Sequence, residues 1–205
     1  MIHIVAEPIG IAKFRNYGSI ISPDEEVSRL TEKTKGANQG TAIKIVKVSR
    51  SQNLFPEHCG VKAPHWNMFR SFPQPHLKRN IYESSTGEII EHSIKVLEKH
   101  PFSSQTFVPM GRCADNLAYL VVVALPDNQG GPDLSTLKAF TCKGSQAVTY
   151  GAGVWHAPMI VIGDLAYLDF SVLIHELGDE DRPEMDLVET HYREGEVVVN
   201  MIAQA

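Results

Sequence analysis

The sequence predicts a mainly β fold, a jelly-roll β-barrel with one or two peripheral helices. Three observations carry this. From residue 105 onward, short apolar runs of strand length follow one another closely, and turn-forming groups separate them at 126–128 (PDN), 143–145 (KGS) and 151–153 (GAG). Helical periodicity is scarce, with one segment alone showing it well.

The elements follow in chain order. Strands are expected at 2–5, 19–21 and 41–48, interrupted by the polar stretch 22–40, which reads as loop or a short solvated helix. Residues 51–80 combine Pro56, Pro64, Pro73 and Pro75 with Phe55, Trp66, Phe69 and Phe72, so this part reads as a packed wrapping layer around a short strand at 66–71. The helix candidate is 88–99, where Ile90, Ile94 and Leu97 fall at i, i+4 and i+7 and Pro101 closes the segment. Further strands are expected at 105–109, 117–125, 136–142, 146–150, 154–162, 166–174 and 196–200. No linker, repeat or low-complexity run divides the chain, so 1–205 reads as a single domain.

Composition narrows the function. The 205 residues are 43% hydrophobic and 21% charged, with a formal net charge of −5 and no basic block, which points away from nucleic acid. The longest apolar stretch, 117–125, is far below the ~20 residues of a spanning helix. The N-terminal residues lack the basic and apolar regions of a leader and read as part of the fold. Three widely spaced cysteines, Cys59, Cys113 and Cys142, fit neither a disulfide framework nor a zinc knuckle, so a reducing, cytoplasmic location is expected.

Side chains alternate along a strand, so polar residues on apolar faces emerge by counting in twos. His156 shares a face with Val154, Pro158 and Ile160; Lys138 lies with Thr136, Phe140 and Cys142; Gln105 lies with Phe107. If these faces line one interior, the three polar groups converge. Each also has a plainer reading: a hydrogen-bonded core histidine, a protective lysine on an edge strand, and a glutamine that satisfies backbone. Gly151 and Gly153 form a tight turn that is expected to bring Trp155 and His156 to the barrel mouth. Asn38, Asn67 and Arg70 are further polar candidates, Arg70 through a bidentate fork to a carboxylate. Zincin, serine-hydrolase and P-loop motifs are absent from the sequence.

The strings LEKHP (97–101), SQTFVPM (104–110), YLVVVA (119–124), PDLSTLKAF (132–140) and GVWHAP (153–158) resemble, in order, those of the ureidoglycolate lyase family of allantoin degradation. The likeness spans roughly 93–177, with echoes at 14–21, 38–41 and 67–70; extra length at 51–65 and 71–92 fits a fungal-type member. The resemblance implies a cupin-like barrel, a homodimer, and cleavage of ureidoglycolate to glyoxylate and urea. It implies His156 as acid or base, Lys138 or Arg70 as partner of the substrate carboxylate, and Gln105 with Asn38 on the ureido group. Tyr150 and Trp155 are expected to line the substrate. Position 138 carries Lys where the family often has Arg, which keeps the charge without the bidentate fork.

Metal-binding cupins place two His and a Glu on one segment and a third His on a later strand. Here Phe102 stands for the second His and Gln105 for the Glu, leaving His100, Gln105 and His156. No cofactor is therefore expected, and that set would hold nickel or manganese only weakly. Two rival readings are an amidohydrolase releasing ammonia and carbon dioxide, which needs an activated water, and a non-catalytic metabolite-binding module.

Overall fold

The computed structural model describes residues 1–30, 36–78 and 88–202. Their strands are β1 (Ile2–Pro8), β2 (Gly18–Ile21), β3 (Gly36–Ala37), β4 (Ala42–Ile43), β5 (His65–Ser71), β6 (Ile89–Ser93), β7 (Val96–Lys99) and β8 (Gln105–Met110). They continue with β9 (Leu117–Pro126), β10 (Pro132–Lys143), β11 (Ala147–Tyr150), β12 (Trp155–His156), β13 (Ile160–Val161), β14 (Leu168–Ile174), β15 (Val188–His191) and β16 (Val197–Ile202). Two short helices, α1 (Ile11–Phe14) and α2 (Pro23–Ser28), lie near the start. Pro23 presets the first turn of α2, whose acidic residues Asp24, Glu25 and Glu26 suit the positive end of the helix. The Glu25 carboxylate accepts from the Ile11 N–H at 3.0 Å and so caps α1 as well.

A large sheet runs β15-β7-β12-β9-β10-β1-β16-β6, with β13 also on β9; a second runs β2-β11-β8-β14-β5. The mainly β architecture expected from the sequence is thus present, curled as in a cupin-like jelly roll. Strands β6 and β7 stand at or next to opposite ends of the large sheet, yet only two residues separate them in sequence. The sheet must therefore curl until its ends lie side by side.

Strand β9 explains how one run of apolar residues serves two cores. Tyr119, Val121 and Val123 enter a cluster between the sheets with Phe107, Phe140, Tyr150 and Phe170. Leu120, Val122 and Ala124 point the other way, into a cluster with Leu97, Leu137, Trp155 and Val199 inside the curl of the large sheet. A strand covered on both faces has no polar side to show, which is why β9 reads as a continuous apolar segment.

The expected helix at 88–99 is replaced by β6 and β7. Ile90, His92 and Ile94 are buried while Ile89 and Glu91 are exposed, a period of two rather than 3.6. The backbone of β6 pairs with β16 throughout, and β7 pairs with β15 and β12. The three aliphatics at helical spacing coincide with a two-stranded pattern, and β-branched Ile89, Ile90, Ile94 and Val96 favour the pleat. Two other expectations shift. The strand expected at 154–162 breaks into β12 and β13 around Pro158, which has no N–H to donate. The one at 41–48 shrinks to β4, with Lys47 in the left-handed region at φ 61°. Part of the polar stretch 22–40, residues 31–35, lies outside the described residues.

Candidate functional site

Strand β7 ends at Lys99, one residue before His100, and Glu98 and His100, at i and i+2, project to the same side. His156 on β12 stands directly opposite Glu98 in the antiparallel register. The Gly153 N–H donates to the His100 carbonyl at 2.8 Å, and Gly153 sits at φ 76°, a conformation suited to glycine. This turn locks the His100 backbone beside β12.

Glu98 and His100 line a cavity of about 350 Å³ together with Asn67, Phe69, Gln105 and Glu176, and His156 is buried beside them. One ligand atom each from Glu98, His100 and His156 lies within 4.8 Å of the others. His156 Nε2 is 3.6 Å from Glu98 Oε1. The ring of Tyr150 stacks on that of His156, centroids 4.0 Å apart and planes 11° from parallel, which fixes the imidazole plane.

Hydrogen bonds set the tautomers. His156 Nδ1 lies 3.0 Å from the Val154 carbonyl and His100 Nδ1 lies 2.7 Å from the Asp186 carbonyl. A carbonyl only accepts, so each Nδ1 carries the proton and each Nε2 keeps its lone pair. Both Nε2 atoms, with Gln105 Oε1 and the Tyr150 hydroxyl, are buried without a hydrogen-bond partner. Buried polar atoms are normally satisfied, so this group of four is a candidate place for a ligand.

Burial governs the charges here. It pushes His156 down to about 3, with His100 adding to the shift, and it lowers His100 as well. Both imidazoles are neutral at physiological pH. Burial, reinforced by Glu189, pushes Glu98 up to about 7. Among the described residues, the cavity is lined by three carboxylates, Glu98, Glu176 and Asp186, and by no lysine or arginine. Glu176 is oriented through Oε2 by His65 Nε2 at 2.6 Å and Asn67 Nδ2 at 3.1 Å. Asp186 accepts from the N–H groups of Leu177 and Gly178, both at 2.7 Å, and so closes the loop that carries Glu176.

Of the residues singled out from the sequence, His156, His100, Gln105 and Tyr150 come together. Four others lie elsewhere. Lys138 is exposed on β10, where its charge acts on Glu7; it shares a strand face with Phe140 but sits beyond the rim of the core, next to a bulge between Asp133 and Lys138. Arg70 forms the expected bidentate fork, but with Asp169 at 2.8 and 2.9 Å, while stacking 3.9 Å above Tyr167 on the outer face of the second sheet. Asn38 is exposed in a turn between β3 and β4, at φ 48°. Trp155 is buried in the core inside the large sheet, its Nε1 donating to the Gly130 carbonyl at 3.2 Å, because adjacent strand residues point to opposite faces. Lys138→Ala is accordingly expected to keep turnover within about twofold of the parent, surface substitutions being near neutral; a steady-state assay checks it, and a large loss would return Lys138 to the site.

Glu98 and Asp186 were not singled out from the sequence, and Glu176 stood there only as a polar residue at a strand end, with no role given to it. The signal for Glu98 was present as Glu-x-His at 98 and 100, a same-face pair once the segment is a strand. The other two sit on a loop, and only tertiary hydrogen bonds deliver them.

The donor set fits a divalent transition metal: two neutral imidazoles presenting bare Nε2, each oriented through Nδ1 by a carbonyl, and one carboxylate. Glu98 supplies the charge that a His100, Gln105 and His156 set lacks.

Comparison with known proteins converges on one family. A family profile described as ureidoglycolate lyase matches residues 1–200. The chain is 58% identical over 199 residues to the ureidoglycolate lyase of Saccharomyces cerevisiae, covering 97% of this chain and 99% of that one. It is 39% identical over 162 residues to the Schizosaccharomyces pombe protein of the same name, 78% of each chain. A Salmonella paratyphi B ureidoglycolate lyase is 40% identical over 95 residues, 46% of this chain and 53% of that protein.

Proposed function

We propose, from the premise that the chain belongs to the ureidoglycolate lyase family, that it is an enzyme cleaving ureidoglycolate to glyoxylate and urea in the cavity lined by Glu98, His100, Gln105 and Glu176. The observation that carries the site is the convergence of Glu98, His100 and His156 with two buried Nε2 atoms left without partners.

Ureidoglycolate is a carbinolamide bearing a carboxylate. Its cleavage moves one proton from the hydroxyl oxygen to the departing ureido nitrogen while the carbon–nitrogen electron pair leaves with nitrogen. No water enters. The site must therefore hold an anion and transfer a proton. Gln105, with its carbonyl oxygen free, accepts from a ureido N–H. Glu176 is anchored through one oxygen and offers the other for the travelling proton. His156 and His100 contribute lone pairs, and Tyr150 holds the plane of His156.

Holding an anion in a cavity lined, among the described residues, by three carboxylates and no lysine or arginine calls for a positive charge. A divalent cation on Glu98, His100 and His156 would supply it, binding the substrate's oxygens and polarising the carbinol. A second reading keeps the site free of metal, with Glu98 and His156, 3.6 Å apart, sharing the proton transfer. Chelator-treated protein given fresh racemic ureidoglycolate separates the two. Loss of most urea formation, restored by nickel or manganese, supports the cation; an undiminished rate removes it. Urea with glyoxylate supports the lyase, ammonia without urea an amidohydrolase, and binding without product a non-catalytic module.

We also propose a homodimer in the cytoplasm. The three cysteines are unpaired, as suits a reducing compartment, and no described helix is long and apolar enough to cross a membrane.

A further inference from the structure

Two side chains of β5 serve a single oxygen atom at the site. His65 and Asn67 stand at i and i+2 on the strand, so both project to the face on which Phe69 packs against Phe107. In the antiparallel register His65 is opposite Ile174, the last residue of β14, and Glu176 follows two residues later with the same parity. The chain thus brings the Glu176 carboxylate to the His65 end of β5. His65 Nε2 lies 2.6 Å and Asn67 Nδ2 3.1 Å from it, and both reach Oε2 rather than one oxygen each. The backbone after Glu176 is held separately, by the Leu177 and Gly178 N–H groups on the Asp186 carboxylate.

A carboxylate oxygen offers two lone pairs to donors. Two donors occupy those of Oε2 and leave those of Oε1 to whatever enters the cavity that Glu176 lines. Because an ionised carboxylate only accepts, the shared hydrogen belongs to His65 Nε2.

From this arrangement we infer that His65 is a positioning residue for the proton transfer: with Asn67 it occupies Oε2 of Glu176 and confines the travelling proton to Oε1. The inference deepens the proposed cleavage and rests on it. The substrate hydroxyl gives its proton to Oε1. The carbon–nitrogen electron pair leaves with the ureido nitrogen as the carbonyl forms, and the same proton passes from Oε1 to that nitrogen. Oε2 goes on accepting throughout, first in a carboxylate and then as the carbonyl oxygen of a carboxylic acid. His65 therefore keeps its hydrogen through the whole cycle. Without it, Oε2 regains a lone pair that competes for the proton, and the carboxylate is free to turn.

Steady-state kinetics of urea formation by the full chain test this with His65→Phe, which keeps a flat ring without the donor, and His65→Gln, whose amide N–H replaces the Nε2–H. His65→Phe should lower kcat about tenfold or more with KM within about twofold of the parent, and His65→Gln should recover most of that loss. In a Glu176→Gln background, where the proton carrier is gone, His65→Phe should change kcat by less than about twofold. The melting temperature should stay within about 2 °C of the parent's, since His65 is half-exposed at the start of its strand. A His65→Phe enzyme with the parent's kcat overturns the role. So does a His65→Gln enzyme as slow as His65→Phe, which makes proton exchange by the imidazole the working part, and so does an equal loss in both backgrounds, which detaches His65 from Glu176. A parent that forms no urea overturns the cleavage itself, before any variant is compared, and takes this role with it.

Discussion

Glu98→Ala should lower urea formation from ureidoglycolate by about 10³-fold or more, the equivalent of roughly 4 kcal/mol of lost transition-state stabilisation. Glu98 is the carboxylate of the convergent set and stands opposite His156 across a strand pair, so both readings of the mechanism pass through it. Glu98→Gln keeps the volume and removes the charge, and should fall almost as far. The loss must not be one of folding. Burial pushes this carboxyl up to about 7, so its folded pKa lies above the unfolded value. The folded state is therefore favoured least where the group is ionised, at pH above that value, and Glu98→Gln relieves this cost. At pH 8 its melting temperature should equal or exceed that of the parent. A variant that melts earlier and loses activity in proportion would reduce Glu98 to a structural residue. Metal content of the purified variants divides the two mechanisms: a cation present in the parent and lost in both Glu98 variants belongs to the site.

Why Glu98 had to be found in the structure is a question of periodicity. Ile90, Ile94 and Leu97 satisfy a helical template, and on a helix Glu98 and His100 diverge; on the observed strand they share a face. What separates the two outcomes is pairing with β16, β15 and β12, all contributed by later sequence. The strands from β8 onward were legible because their alternation and turns are local. So was the convergence of Gln105 and His156, which rests on parity along two strands. Lys138 shows the limit of parity: it selects a face but not the distance along it, and the bulge in β10 leaves this residue at the rim. Glu176 and Asp186 carry no periodic signal at all. Their loop is placed by the Asp186 carbonyl on His100 and the Asp186 carboxylate on its own loop backbone.

Trp155→Ala should unfold the protein far more readily while sparing the chemistry, the reverse of Glu98→Gln. The indole is 2% exposed and sits among Leu97, Leu120, Val122, Leu137 and Val199 in the core inside the large sheet. Its truncation removes apolar contact and leaves a cavity between closely packed strands, at a cost of about 3–5 kcal/mol. Two polar groups each lose one contact with it: Lys99 Nζ, which stands 4.7 Å over the ring, and the Gly130 carbonyl that accepts from Nε1. Lys99 Nζ keeps its own bond to the same carbonyl, so part of that network survives. His156, the next residue, points to the opposite face and is held by Val154 and Tyr150, neither of which touches the indole pocket. Turnover per folded molecule should therefore stay within about tenfold of the parent, the residual loss coming from a loosened β12. Urea denaturation gives the first quantity, and turnover corrected for the folded fraction gives the second. A variant that is stable yet inactive would place Trp155 against the substrate after all, on the face that the strand geometry denies it.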